Sequence, residues 1–476
     1  MADLVHVPLA RWAQETPDAC AITDGETIIR FHDLHDRVMR LAADLKQAPA
    51  TCWVDHTQTT CQQLISFLSI VQSGRCAAVS NPEWPDLTRH AAIALIPQET
   101  FQSQPTQDTH PFYIGFTSGS TGTPKGFRRH HRSWVESFRV CANTFGLDHT
   151  TAILAPGHLS HSLFLFGMLM GIWSGAGTAI QNKFSPAHTL NTLQQGHHTC
   201  LVAVPSQLIM LLQWAHHRRI APIPQLQLIL ISGARWMRQH TDALQQLFPQ
   251  ARIVEFYGAS ETSFIAWKEA QEVGSPEAVG RPFANVELQI RPLKQDPHNG
   301  LIYVRSPMLF MDYIGATHDP TAAVRDGDWL SVGDLGHIDA QGHLCLVGRQ
   351  NRMIVTQGKN LFPEELETLL QTHTAIANAS VLALPDPVRG SKVIALLQLS
   401  QNSPQEVSTT AQALTQWCQE HTESFKIPRQ FWLCKEWPRT ASGKTDHMQL
   451  HHMLLQTIEN PNGHLPLSSS CLQLLS

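Results

Sequence analysis

No C-x-x-C pair occurs among the ten cysteines, which stand apart at positions 20, 52, 61, 76, 141, 200, 345, 418, 434 and 471. That scatter argues against a disulfide framework or a cysteine zinc site and suits reduced thiols in a cytoplasm. The 27 histidines include pairs at 130/131, 197/198, 216/217 and 451/452, but not the partner spacings of a metal centre. Charge is scarce as well: charged residues make up 15% and the formal net charge is -5. Nothing there recommends nucleic acid or an anionic membrane as a partner. The start, MADLVHVPLARWAQ, lacks a basic segment followed by an apolar one, so no signal peptide is expected. The most apolar stretch, Leu163 to Gly177, falls short of the roughly 20 residues a membrane span needs and is interrupted by glycines. It is expected to be a buried core helix, not an integral membrane segment. No internal repeat is visible.

What is present points to a large soluble enzyme. With 476 residues, 42% of them hydrophobic, the chain can bury more than one core. Between residues 151 and 258, apolar β-type runs (151–156, 176–181, 200–205, 226–233, 251–258) alternate with helical patterns near 161–174, 185–195, 206–217 and 236–247. Strands apolar along most of their length and separated by helices predict an α/β fold, a doubly wound and mostly parallel sheet covered on both faces. Ligands in such folds bind beyond the carboxyl ends of the strands, here SGA (232–234) and YGASE (257–261). After residue 280, short strands (VELQI, LIYVRS, HLCLVG) punctuated by Gly, Pro and Asp predict a β-rich subdomain. Beyond a boundary near Gly348 to Arg352 comes a small α+β unit: helix 363–371, strands 379–384 and 392–399, helix 408–421 and strand 430–434. The expected division is 1–348, 349–456 and a weakly structured tail, 457–476.

The segment richest in chemistry is Thr117-Ser118-Gly119-Ser120-Thr121-Gly122-Thr123-Pro124-Lys125-Gly126. Its glycines leave the backbone free to wrap a ligand, its hydroxyls and N–H groups donate to phosphate oxygens, and Lys125 adds a positive charge. It is not a P-loop, because Lys125 is followed by Gly126, and it lacks the G-x-G-x-x-G of a dinucleotide fold. A polyphosphate cradle and a flexible polar linker both fit this loop taken alone.

Three more segments follow in order: Tyr257-Gly258-Ala259-Ser260-Glu261-Thr262; Gly333-Asp334-Leu335-Gly336 with Gly348-Arg349; and Pro438-Arg439-Thr440-Ala441-Ser442-Gly443-Lys444-Thr445. With these motifs the chain resembles the adenylate-forming superfamily: acyl- and aryl-CoA synthetases, adenylation domains of peptide synthetases, and beetle luciferases. The resemblance runs from about residue 8 to about residue 450 and is nearest to the acyl-CoA synthetases. It implies a large AMP-binding domain, a mobile C-terminal lid, and three cofactors or co-substrates: ATP, Mg²⁺, and coenzyme A or a carrier-protein phosphopantetheine.

By that resemblance Thr117, Ser118, Gly119, Ser120, Thr121, Gly122 and Lys125 hold the β- and γ-phosphates. Glu261, with Thr121 nearby, holds magnesium, and Ser260 serves the α-phosphate. Tyr257 lies against the adenine with Gly233 and Ala234 on the opposite wall, and Glu255, Phe256, Gly258 and Ala259 belong to the same nucleotide-binding set. Asp334 and Arg349 take the ribose, although Asp334 equally suits a turn. Lys444 matches the catalytic lysine; outside its PRTASGKT context it would read as a solvated surface lysine. The hinge position falls on Asn351, where relatives usually carry Asp or Lys. Val355 stands where many carry a lysine. Gly358 matches the glycine that lets the thiol arm pass, and Lys359 is a candidate contact for CoA phosphates.

An amino-acid substrate needs a carboxylate to pair with its ammonium, and HLSHSLFLFGMLMGIW after strand 151–156 has none. His161, with His158 as the alternative, matches the position beside the reacting carboxylate, and a core histidine satisfied by backbone is as good a reading. An aliphatic, fatty acid is expected, although a hydrophobic pocket separates chain lengths by only ~1 kcal/mol per methylene. The acceptor is CoA or an acyl carrier protein. A nucleotide-binding protein without catalysis remains the alternative of another class, against which Lys125, Glu261, Asp334, Arg349 and Lys444 are all present.

Overall fold

Six strands form the parallel heart of the protein, in the order Arg252–Ala259, Leu228–Ile231, Cys200–Ala203, Ile153–Ala155, Thr178–Ile180, Cys20–Thr23. A computed structural model describes residues 3–96, 99–102, 104–117, 125–275, 277–293, 296–315, 323–356, 359–386, 390–400, 410–440, 443–459 and 472–475. Ile153–Ala155, Thr178–Ile180, Cys200–Ala203 and Leu228–Ile231 are buried at every residue, as their unbroken apolar character requires. The apolar helix Ser162–Ser174 lies against this sheet and is buried from Phe164 to Ile172. Its glycines allow the close approach: a Cβ on Gly171 would sit 2.4 Å from the Gly177 carbonyl oxygen. Among the described residues no helix is long and apolar enough to cross a membrane.

The sheet changes character at its functional edge. Arg252–Ala259 turns back through residues 260–262 into the antiparallel strand Ser263–Glu269. Ala278–Pro282 then links the parallel heart to the antiparallel strands Leu344–Arg349, Asp334–Ile338 and Asp296–Arg305. A second sheet carries Thr51–Trp53, Cys76–Ala78 and Pro111–Thr117 in parallel, then Lys125–His130 and Asp312–Ile314 antiparallel. An Arg128–Asp312 fork, at 2.6 and 2.7 Å, ties the last two together.

The small lobe has a core of its own, centred on Leu361, Leu366, Leu370, Ala395, Leu397, Leu414 and Phe431. Its main sheet runs Ile376–Asp386, Gly390–Leu399, Gln430–Cys434, Leu472–Leu474. The last strand corrects the expected tail: Leu472–Leu474 pairs antiparallel with Gln430–Cys434 through Trp432↔Leu474 and Cys434↔Leu472. Leu472 joins a buried cluster with Trp432, Leu450 and Leu454, so apolar burial holds it there. Helix His447–Glu459 also passes the expected limit of residue 456. The helix expected over 236–247 is shorter, Thr241–Leu247, because Trp236 is pinned in a turn by its own N–H to Glu255 Oε1 (3.0 Å) and its indole to Thr241 Oγ1 (2.9 Å).

Candidate active site

Backbone pairing alone brings two of the sequence motifs together. Asp334 and Arg349 are cross-strand partners, and Arg349 Nε donates to Asp334 Oδ1 at 2.8 Å. The Tyr257 hydroxyl donates to the other carboxylate oxygen. Asp334 is buried while Arg349 stays half-exposed, so the carboxylate is fixed and an open side remains. Asp334 holds the Arg349 guanidinium charged well above its ordinary range. Burial, followed by the adjacent carboxylate, pushes the Tyr257 phenol up. Each carboxylate oxygen has two lone pairs and has used one, which leaves acceptor capacity for two further hydroxyl donors.

Glu261 stands at the tip of the hairpin that begins at Tyr257. Thr262 N–H bonds to Ala259 O (3.2 Å), Ala259 N–H to Thr262 Oγ1 (3.1 Å), and Phe310 N–H to Glu261 O (2.7 Å). The hairpin is tight: a Cβ on Gly258 would lie 1.9 Å from Ser263 O. The Tyr313 hydroxyl donates to Glu261 Oε1 at 2.7 Å, and Lys125 Nζ lies 5.7 Å from the centroid of the same ring. Thr117 and Lys125 are partners at the open end of a hairpin, so the ends of the glycine-rich segment are anchored side by side. Ser118, Gly119, Ser120, Thr121 and Gly122 lie outside the described residues, as do Gly358, Ala441 and Ser442.

Lys444 arrives from the other end of the chain. On either side of 441–442 the backbone is tied together by Gly443 N–H to Thr440 O and Thr440 N–H to Lys444 O, both 2.8 Å, with Gly443 at φ +78°. Arg439 Nη1 braces it by donating to Gly443 O at 3.0 Å. The loop faces the large lobe, where a Cβ on Gly443 would come within 2.9 Å of Ser206 Oγ. The charges that act on Lys444 are Arg349, Asp334 and Glu261. Lys444 as a whole is exposed, and the packing around it still partly desolvates its ammonium. That desolvation, reinforced by Arg349, lowers its pKa, while Asp334 and Glu261 pull it back up.

Beside the loop a cavity of about 470 Å³ is lined by Phe164, Phe184, Val204, Ile209 and Met210, with Ser206, Gln207 and Gln213 among its polar groups. His161, Arg439 and Gly443 also line it, and among the described residues no acidic side chain does. His161 stands at the N-terminus of helix Ser162–Ser174 with its ring edge-on to Phe164. His158, the alternative, is committed locally: Ser160 N–H donates to its Nδ1 (3.1 Å), and burial depresses its pKa to about 4. Gly233, at φ +91°, and Ala234 are exposed just beyond strand Leu228–Ile231.

Two of the expected nucleotide residues have their side chains engaged elsewhere. Glu255 is buried, receiving Trp236 N–H and pairing with Lys268 Nζ at 3.2 Å; it braces the turn behind Gly233 and Ala234. Phe256 points to the opposite face of its strand and packs edge-on against Phe264 with centroids 4.8 Å apart, as strand alternation dictates. Lys359 Nζ lies over the Phe425 ring at 4.7 Å. Two residues that the motifs did not flag also belong here: Tyr313, which bridges Lys125 and Glu261, and Arg129, wholly buried behind the Glu261 hairpin. The signal for Arg129 was alternation along strand Lys125–His130, which places Lys125, Phe127 and Arg129 on one buried face.

Comparison with known proteins bears on this arrangement. Residues 86–314 match the AMP-binding enzyme family, and residues 365–444 match the AMP-binding enzyme C-terminal domain. An uncharacterized acyl–CoA ligase of Bacillus subtilis, YhfT, is 32% identical over 87% of this chain and 83% of its own length. VraA of Staphylococcus aureus, provisionally named a long chain fatty acid–CoA ligase, is 30% identical over 95% of this chain and 99% of its own. In fold, the o-succinylbenzoate CoA synthetase of Bacillus subtilis, solved with its acyl-adenylate intermediate, superposes with a TM-score of 0.78. That superposition spans 93% of this chain and 97% of the other, at 22% identity.

Proposed function

Given that the chain belongs to the adenylate-forming AMP-binding enzymes, as an AMP-forming acid–CoA ligase, we propose that it activates an aliphatic carboxylic acid seated in the 470 Å³ cavity, with Lys444 as the cation of the first step. The observation that carries this reading is that the charges felt by Lys444 are those of Asp334, Arg349 and Glu261, residues far from it in sequence and carried by the large lobe and its boundary, of which Asp334 and Arg349 are themselves paired at 2.8 Å. In the first step a carboxylate oxygen of the acid attacks the α-phosphorus of ATP. The bond to the β-phosphate bridging oxygen breaks, giving acyl-AMP and pyrophosphate. Negative charge builds between the α-phosphate and the leaving group, where an ammonium is worth most in a water-poor cleft. In the second step the CoA thiol, losing its proton, attacks the acyl carbonyl and AMP leaves.

The remaining residues divide the nucleotide among them. Asp334 accepts from the ribose hydroxyls with its free lone pairs, and Arg349 adds a donor. Tyr257, Gly233 and Ala234 flank the adenine. Lys125 and residues 117–122 take the outer phosphates. Glu261 suits magnesium: a hard oxygen donor at an open hairpin tip, with no cluster of three or more ligating side chains among the described residues. Such a set fits an ion held by one carboxylate together with phosphate oxygens and water, with Thr121 as a further contact. When bound, the ion neutralises phosphate charge.

The aliphatic preference rests on the cavity. Its walls are mostly apolar, and among the described residues that line it His161 is the one imidazole and none is a carboxylate to pair with an amino-acid ammonium. The kinship with VraA points the same way. The test is a pyrophosphate-release screen over short, medium and long aliphatic acids, aromatic acids and amino acids, with CoA and a carrier protein compared as acceptors. Release is expected to rise with aliphatic chain length until the cavity is filled, with CoA as acceptor. Release confined to aromatic dicarboxylates or amino acids would contradict it.

A further inference from the structure

Behind the Glu261 hairpin, Arg129 is 1% exposed, and its guanidinium is spent on four neutral acceptors. Nε donates to Ser133 Oγ at 3.2 Å, and Nη1 to Ser260 O at 2.6 Å. Nη2 donates to Ser263 Oγ and to Met308 O, each at 2.6 Å. These bonds join four segments: the arginine's own strand, the start of helix His131–Phe145 at Ser133, both sides of the Glu261 turn, and the loop whose Phe310 N–H holds the Glu261 carbonyl. Ser263, one of them, has φ +57°, a left-handed conformation rare outside glycine. A charge-assisted bond to its hydroxyl holds it there.

We propose that Arg129 is a positioning residue for the nucleotide–metal site, setting where the Glu261 carboxylate stands relative to Lys125. The argument is geometric first. Lys125 and Arg129 lie on the same face of one strand, so whatever Arg129 grips is registered against Lys125. It grips the turn that carries Glu261 on both flanks, at Ser260 and Ser263. Tyr313 completes the frame from the front, its hydroxyl on Glu261 and its ring beside Lys125. Electrostatics agrees. Burial depresses the guanidinium to about 9, and the carboxylate whose charge opposes that shift is Glu261. A buried arginine without a carboxylate in its hydrogen-bond set thus looks to Glu261 for compensation. A role limited to filling the core would need neither the bonds on both flanks of the turn nor this electrostatic link.

The inference rests on the proposed reading of Glu261 and Lys125 as the phosphate and magnesium end of the site. The experiment is calorimetric titration of Mg·ATP and, separately, of AMP into the full chain, for wild type, Arg129→Gln, Arg129→Lys and Ser263→Ala. AMP lacks the outer phosphates, so it reports on the Tyr257–Asp334 end. Arg129→Gln is expected to weaken Mg·ATP about tenfold while AMP affinity stays within about twofold. Arg129→Lys, which keeps charge but loses the fork, should fall between. Ser263→Ala removes one acceptor without vacating the buried charge and should weaken Mg·ATP about threefold in the same selective way; it decides the matter if the Arg129 variants fail to fold. Equal losses for both ligands, or no loss for either, would overturn the positioning role. Failure of the wild-type protein to bind Mg·ATP would overturn the reading of the site itself and the inference with it.

Discussion

The two lobes hold their charged residues in opposite ways. In the large lobe each has a rigid support: Asp334 between Tyr257 and Arg349, Glu261 on Tyr313, the hairpin behind it on Arg129. In the small lobe Lys444 stands on a short loop closed by two backbone bonds and a left-handed glycine. The lesson is a division of labour. On the proposed reading, the groups that meet ATP in one geometry are pre-organised by their supports, which spares reorganisation when the ligand binds. The group needed for one half of the reaction rides on a lobe with its own core, touching the large lobe through few polar contacts, such as Arg235 Nη1 to Thr368 Oγ1 at 3.3 Å. The lobes also meet closely at the boundary, where a Cβ on Gly348 would strike Glu364 Oε2 at 2.7 Å.

This contrast is breakable at several points. The largest effect belongs to the delivered cation: Lys444→Ala should cut acid-dependent ATP–pyrophosphate exchange by about 10³-fold. Thioester formation from preformed acyl-AMP should stay within about threefold of wild type. Next comes the fixed carboxylate. Asp334→Ala should weaken ATP by about 30-fold in equilibrium binding, since two hydroxyl donors and Arg349 lose their acceptor together.

A smaller effect separates the lobes as folding units. Leu472→Ala should cost about 2 kcal/mol in the small lobe's unfolding transition and leave the large lobe's transition in place. One merged transition shifting as a whole would show that the lobes fold as one.

The pH responses are the gentlest probes. Burial holds His6, His130, His158 and His198 in the large lobe, and His447 in the small, near pKa 4. Their folded forms are neutral, while the unfolded chain takes up protons near 6.5, so stability present above pH 6.5 is lost as pH falls toward 4. Calorimetric melting should show the large-lobe transition dropping further than the small-lobe one. At the alkaline end, Lys444 has a lowered pKa and loses its charge earlier than a surface lysine. Pyrophosphate exchange should therefore fall before pH reaches the ordinary lysine range, and Lys444→Arg, which does not titrate there, should remove that limb.

Much of this was legible in the residue order, for reasons particular to each element. The strands from 151 to 258 showed because burial on both faces leaves them apolar at nearly every position. Asp334 and Arg349 could be named from motifs, but their pairing needed the hairpin register. The second sheet went unread because strands such as Thr51–Trp53 and Cys76–Ala78 are three residues long, too short for a periodicity to show. Leu472–Leu474 was hidden for the same reason and by its place near the chain's end. The partnership of Glu255 with Lys268 was not legible, because its position beside Tyr257 says nothing of Lys268, which reaches it only across the sheet. Arg129 sits in a basic, histidine-rich run, FRRHHR, that reads as surface, so its charge masks the strand alternation that places it on the buried face.

The central claim is that the large lobe alone grips the nucleotide while the small lobe contributes one cation to the chemistry. The most direct measurement is calorimetric titration of Mg·ATP into the Lys444→Ala protein. Affinity within about threefold of wild type, in a protein that has lost pyrophosphate exchange, is the predicted result. ATP binding that disappears together with exchange would contradict it.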